Sequence, residues 1–374
     1  MPTEAAGTAP VPAVRARDAT HPVAARRILR LALGATLCLG VTQAIAWPLA
    51  FIAPVLTLLL LSLPLPAPGL KKGLAVVLAL MLPMVASLGL LPFLSETRWA
   101  GVLLLTLALF FTFLYTARGG SPVLGTTMTV GLTLVVTVGS VSPGLLSLLV
   151  PAMGFNALAG VSFVWLAHLL LPDSATVSAP ARPPGAGAPS GPEAVRSALR
   201  SLAVVLPLAL VFLFSSASVA YTPVMIKVAS LGQQASADRS ARMGRSLFLA
   251  TLWGGLAAVL AWYLLRLWPG LVPYMLAVAL ASLVFGRRIF AGRGLAPEQD
   301  VASYALLTLL ILLGPSVGDP VFGGGLGFLP RLGLFLLIAV YGTAAVVVFD
   351  AFWPDRTGAG EGSDRNHEGD PGND

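Results

Sequence analysis

Few side chains in this 374-residue chain can do chemistry, and Lys227 stands first among them. It lies inside the apolar run 218–234 (SVAYTPVMIKVASLGQQ), four residues after Pro223. An ammonium is costly in hydrocarbon and marks a functional position by default. Lys227 could anchor a carboxylate beside a proline-loosened helix, or it could snorkel to an interface. Of 16 carboxylates none falls in the middle of an apolar run. Asp300 and Asp350 stand at run ends and Asp319 in the segment 315–330, so Asp300 and Asp319 are the proton-coupling candidates, with Asp350 and His168 behind them. Each of these also reads as a helix cap, an interfacial residue or a surface charge.

Arg118 and Arg293 open two similar turns, Arg-Gly-Gly-Ser-Pro and Arg-Gly-Leu-Ala-Pro. They could receive anions at an entrance or simply set topology ahead of a proline-started helix. Gln43 and Asn156, like Thr57, Gln233 and Gln234, could line a path or join helices by hydrogen bonds. The histidines His21, His168 and His367 are far apart, and the single cysteine, Cys38, sits in the first apolar run. No metal site, disulfide framework or cofactor is expected from that inventory. The glycine-rich run 322–327 lacks the Gly-Lys-Ser/Thr ending of a phosphate cradle. An ATP-driven pump and a nucleotide-binding role are excluded for this chain alone.

The elements that must position these residues follow from composition. Hydrophobic residues make up 56 % and charged residues 10 % of the chain, and its mean hydropathy is +0.86. Soluble domains carry about 25 % charged residues, so this surface is not built for water. Apolar runs near the bilayer-spanning length recur along the chain. Twelve spans are expected, roughly at 28–46, 48–63, 73–94, 99–117, 123–141, 145–171, 198–216, 218–234, 246–266, 271–286, 300–314 and 331–350. The first two are separated by Trp47-Pro48, as a tight hairpin or a re-entrant pair. Pro54, Pro83, Pro207, Pro223 and Pro273 fall inside apolar runs, where each frees a backbone carbonyl. Trp47, Trp99, Trp253, Trp262, Trp268 and Tyr274 suit an interfacial aromatic belt. With the amino terminus inside, 19 of the 23 basic residues fall on the cytoplasmic side, and Arg98, Arg266 and Arg331 fall on the other. Both termini are then cytoplasmic, and the net charge of +7 reflects topology rather than nucleic-acid binding.

Residues 1–25 and 355–374 are expected to be disordered, and 172–197 a flexible Pro/Ala/Gly/Ser linker. The linker divides two membrane regions, 26–171 and 198–354, of six spans each. They look like repeats. Arg27 to Pro54 and Arg196 to Pro223 are each 27 residues apart, the Arg-Gly-x-x-Pro turn occurs once in each, and each closes with Pro-Asp. Two six-span repeats would share one orientation. The expected fold is therefore an all-α polytopic membrane protein of about twelve transmembrane helices in two parallel six-helix repeats.

The arginine-led helix at 26–33 (RRILRLAL), followed by 47–56 (WPLAFIAPVL) and a short second span ending in prolines, resembles the fusaric acid resistance and aromatic acid exporter superfamily. It is most similar to that superfamily's short bacterial members known only as a domain of unknown function. The resemblance implies efflux of small aromatic or other weak organic acids across the bacterial inner membrane, with a periplasmic membrane-fusion adaptor as partner. Longer relatives carry a cytoplasmic domain after each six-span block, where the linker and the short tail are expected here. The expected function is export of small organic anions. The rivals are a non-transporting membrane subunit or scaffold, and a membrane enzyme acting on lipid-linked substrates, whose acidic cluster is missing here. Lipid is an implied partner, and a homo-oligomer is compatible with this reading.

Overall fold

The computed structural model describes residues 14–63, 65–172, 191–214, 222–237, 243–291, 296–318 and 327–353. Those residues are helical with short connections, and no strand occurs among them. In chain order the helices are α1 Val14–Ala44, α2 Ile52–Ser62, α3 Leu70–Leu88, α4 Leu91–Glu96, α5 Arg98–Ala117, α6 Pro122–Val141 and α7 Pro143–Leu170. Then come α8 Gly191–Leu213, α9 Thr222–Ala237, α10 Met243–Leu267, α11 Leu271–Ala291, α12 Ala296–Gly318 and α13 Phe328–Phe352. Among the described residues eight helices are long and apolar enough to cross a membrane: α3, α5, α6, α7, α8, α10, α11 and α13. This is the fold of a multi-pass membrane protein.

Two shorter apolar helices, α2 and α12, form the centre. Residues 305–313 of α12 are all buried, as are 52–58 of α2. A helix that is apolar all round belongs in the interior of a bundle. The outer helices behave oppositely. Leu103 of α5, Leu260 of α10 and Leu337 of α13 are more than 60 % exposed, which in a bilayer is the lipid-facing side.

Local chemistry sets several boundaries. Gly191-Pro192-Glu193 starts α8, with proline at its second residue and an acid in the first turn, so this helix begins inside the segment expected to be linker. Likewise α1 begins at Val14, inside the segment expected to be disordered. Arg118 caps α5 and Gly119 turns the chain with φ +89°, a conformation glycine adopts without penalty. Three of the five prolines read as interruptions, Pro54, Pro223 and Pro273, instead sit in the first turns of α2, α9 and α11. No intrahelical hydrogen bond is lost there. Pro83 and Pro207 do lie inside helices.

Packing joins distant parts of the chain. Within the first set of helices α3 packs on α6, and α1 and α2 pack on α7; within the second, α10 packs on α12 and α8 on α9. Between the sets α1 packs on α11, α5 on α8, α6 on α9, and α2 on α12. Glycines set the closest approaches. A Cβ on Gly131 of α6 would lie 2.6 Å from the Leu80 carbonyl of α3. A Cβ on Gly254 of α10 would collide with the Ala305 carbonyl of α12 and lie 2.8 Å from Thr308 Cβ.

Candidate functional site

Between α1 and α2 the chain breaks its helix at residues 45–51, with Ala46 at φ +53° and Leu49 at φ +55°. Non-glycine residues rarely adopt that region, so the surroundings must hold it. Asn156, midway along α7, does so: its Nδ2 donates to the Pro48 carbonyl at 3.0 Å and to Ala152 at 2.8 Å. The Thr42 hydroxyl lies 3.0 Å from the Ala50 carbonyl, and the Trp47 ring packs on Phe155 with centroids 4.2 Å apart. The break therefore sits at half the height of a 28-residue helix.

Below the break, towards the end of the bundle that carries Arg26, Arg27 and Arg30, two chambers meet between the two sets of helices. The inner one, of about 50 Å³, is walled by Phe51, Val55, Thr127, Val130, Ile226 and Ile311 among others. The outer one, of about 420 Å³, includes Arg27, Ser62, Ser121, Phe290 and Ser303. Leu59, Thr126, Tyr304 and Leu307 line both. Residues of α2, α6 and α12 thus surround a path from a polar mouth to an apolar interior. Among the described residues no carboxylate lines either chamber.

The arginines at the mouth have divided their work. Arg26 and Arg30 of α1 donate to the Pro172 and Leu171 carbonyls at the end of α7, at 3.4 and 3.5 Å. Arg196 and Arg200 of α8 act in the same way at the end of α13. Arg196 Nε donates to the Trp353 carbonyl at 2.9 Å, and Arg200 pairs with Asp350 at 2.7 Å. Cations at helix C-termini oppose the partial negative charge there. Arg27 does none of this. Its Nε is buried without a hydrogen-bond partner, and the side chain faces the outer chamber.

Lys227 is buried, 2 % exposed, in the second turn of α9, and its Nζ donates to Thr308 Oγ1 of α12 at 2.7 Å. Thr308 Oγ1 in turn donates to the Tyr304 carbonyl at 2.7 Å. Lys227 does not line either chamber; its neighbour Ile226 and Leu307 beside Thr308 do. The snorkelling alternative does not hold for this buried side chain. Asn156 acts as a brace of the α1–α2 break rather than as a lining residue. Gln43 is half-buried near the end of α1 and outside both chambers. Arg118 is exposed beyond them, although Ser121 and Pro122 just after it wall the outer chamber. Arg293 and Asp319 lie outside the described residues, and Asp300 falls early in α12. Asp350 is engaged by Arg196 and Arg200, and His168 Nδ1 lies 2.9 Å from the Val164 carbonyl.

Two interfacial expectations are corrected. Arg331, expected in an outer loop, is wholly buried, with Nη1 donating to Ser316 Oγ at 2.8 Å beside the last turns of α12. Tyr274, expected in an aromatic belt, is also fully buried. Sequence reading passed over Arg27, Tyr304 and Thr308. For Arg27 a signal existed. Residues four apart share a helix face, so Arg26 and Arg30 point together while Arg27 is turned by about 100°. Among the described residues no three His, Cys, Asp or Glu side chains gather in a way that could hold a metal.

A family model described as "Protein of unknown function (DUF2955)" matches residues 27–167, which is the first set of helices through α7. That agrees with the resemblance to a domain of unknown function; it does not extend to the fusaric acid resistance superfamily. No curated protein and no solved structure matches the chain.

Proposed function

We propose that this protein is an exporter of small organic anions, taken up from the cytoplasmic side through the cavity between its two sets of helices. The observation that carries this reading is the pair of connected chambers, polar at the arginine-bearing mouth and apolar at the centre. Ligand sites between helices of membrane carriers commonly lie beside discontinuous helices, and the break at 45–51 closes the inner chamber through Phe51. Counted by the positive-inside rule, the arginine-rich end faces the cytoplasm. Aromatic or other weak acids match an apolar chamber entered past a cation. The resemblance to aromatic acid exporters adds a bacterial inner-membrane setting and a periplasmic adaptor to the proposal, and coupling to the proton gradient is proposed separately, through Asp300 or Asp319.

The same reading treats the two sets as parallel six-helix repeats giving twelve spans. It is supported by packing pairs that recur: α1 on α2 and α8 on α9, α3 on α6 and α10 on α12, α1 on α11 and α8 on α5, α2 on α12 and α9 on α6. The arginine caps suggest a register of Arg26 with Arg196 and Arg30 with Arg200, one residue off the Arg27–Arg196 alignment. In that register Lys227 falls on Thr57, which bonds to the Gly160 carbonyl at 3.2 Å, and Ser197 falls on Arg27.

Accumulation of labelled weak acids in an efflux-deficient bacterium, with and without the neighbouring adaptor, tests export. Lower accumulation than in the vector control is expected. Equal accumulation of every acid, with the protein present in the membrane, moves the assignment to a non-transporting membrane subunit, a role favoured by the lack of a carboxylate among the described lining residues.

A further inference from the structure

We propose that Arg27, with the first turn of α6, forms an oxyanion-binding site at the mouth of the outer chamber. Three arginines enter α1 within five residues, and their partners separate them. Arg26 and Arg30 are held on the carbonyls that end α7. Arg27 has no hydrogen bond or ion pair among the described residues, and its Nε is shut off from solvent. A buried guanidinium nitrogen without an acceptor forfeits the hydration it had in water, and an oxyanion in the chamber would supply that acceptor.

The opposite wall supports the same ligand. Ser121, Pro122 and Val123 at the start of α6 line this chamber. Pro122 has no N–H, Ser121 makes no side-chain cap, and the first turn of a 20-residue helix leaves its remaining N–H groups without helical partners. Such an end carries partial positive charge. A volume of about 420 Å³ admits the head of an organic acid, and the apolar inner chamber continues from it. The shared chemistry is one oxyanion with an apolar body attached, either a free carboxylate or the phosphate of a lipid headgroup. The inference rests on the cavity being the ligand's, as proposed above, but it concerns binding and not translocation.

The test uses the full chain in phosphatidylcholine nanodiscs and labelled benzoate as the probe. Saturable benzoate binding is expected, weakened about tenfold or more in Arg27→Gln and less in Arg27→Lys, since charge-assisted bonds to a bidentate guanidinium are lost or reduced. Arg118→Gln, outside the chamber, is expected to bind as the wild type does, and an unchanged elution profile for each variant shows that it folds. Displacement of benzoate by phosphatidylglycerol in wild-type nanodiscs, absent in Arg27→Gln, would assign the site to a lipid headgroup. Benzoate binding equal in wild type and Arg27→Gln, or no Arg27-dependent binding of either anion, overturns the site. Loss of binding in Arg27→Gln with unchanged export would keep both the site and the transport reading and overturn only the placing of this site on the export path.

Discussion

At the scale of single residues the cations within the bundle divide into those that brace and one, the half-buried Arg27, that is available. Lys227 spans from α9 to α12 through Thr308, so its first role is to set the distance between two helices that wall the cavity. Lys227→Ala removes three buried methylenes as well as the ammonium. It is expected to lower stability by about 2–4 kcal/mol, seen as a lower Tm of the purified protein in detergent. Lys227→Met keeps the volume and leaves Thr308 on the Tyr304 carbonyl, so its Tm is expected to stay much nearer the wild type. Equal losses for the two variants would mean that the charge, not the filling, matters. Asp350 holds two arginines at the end of α13, one of them only 5 % exposed. Asp350→Asn leaves Arg200 without its counter-charge and is expected to cost on the order of 2 kcal/mol, measured in the same way. Neither pair could be foreseen from sequence, because each partner lies more than 80 residues away along the chain.

At the scale of elements, two features decide how the helices surround the chambers. One is the break between α1 and α2, in which the Pro48 carbonyl rests on Asn156. Asn156→Leu strands that carbonyl and is expected to cost about 1–3 kcal/mol. Hydrogen exchange should then rise at residues 45–51 before it rises elsewhere, and a uniform rise would argue against a local brace. The other feature is close approach at glycine. Gly254→Val puts a branched side chain against the Ala305 backbone, which cannot retreat as a flexible side chain would. The variant is expected to lower Tm strongly, whereas Gly333→Ala, with open space around its Cβ position, should leave it nearly unchanged. The helices themselves were legible: each of the twelve expected apolar runs overlaps a helix, and α4 is the extra short one. Runs such as 48–63 and 300–314 gave no hint that α2 and α12 are the central pair. Apolar sequence is the same whether lipid or protein covers it.

At the scale of the whole molecule, the interfaces α1 on α11 and α5 on α8 tie the two sets of helices together across the long connection between α7 and α8. Cutting the chain within 173–190 and expressing the pieces together should therefore yield a complex that co-purifies. Each piece alone exposes the α2, α6 and α12 surfaces meant for the other and is expected to aggregate or be degraded. Stable, separately soluble pieces in detergent would show that the sets are independent and that the cavity between them is not a built site.

Composition and run length by themselves determined that this chain is helical and membrane-embedded, because a chain with 10 % charged residues has few other ways to hide its backbone polar groups. Some of its turns were also legible, such as Arg118 to Pro122 between α5 and α6, since proline and glycine act locally through φ and the missing N–H. Which arginine faces a cavity was not. Arg26, Arg27 and Arg30 are alike in type and crowded in sequence, and only their distances to carbonyls at residues 171 and 172 tell two caps from one open guanidinium. The cavity too exists only once α2, α6 and α12 are brought side by side. A void between helices is a property of their relative placement, fixed by contacts such as Gly254 on Ala305 and Lys227 on Thr308 that join residues remote in the chain.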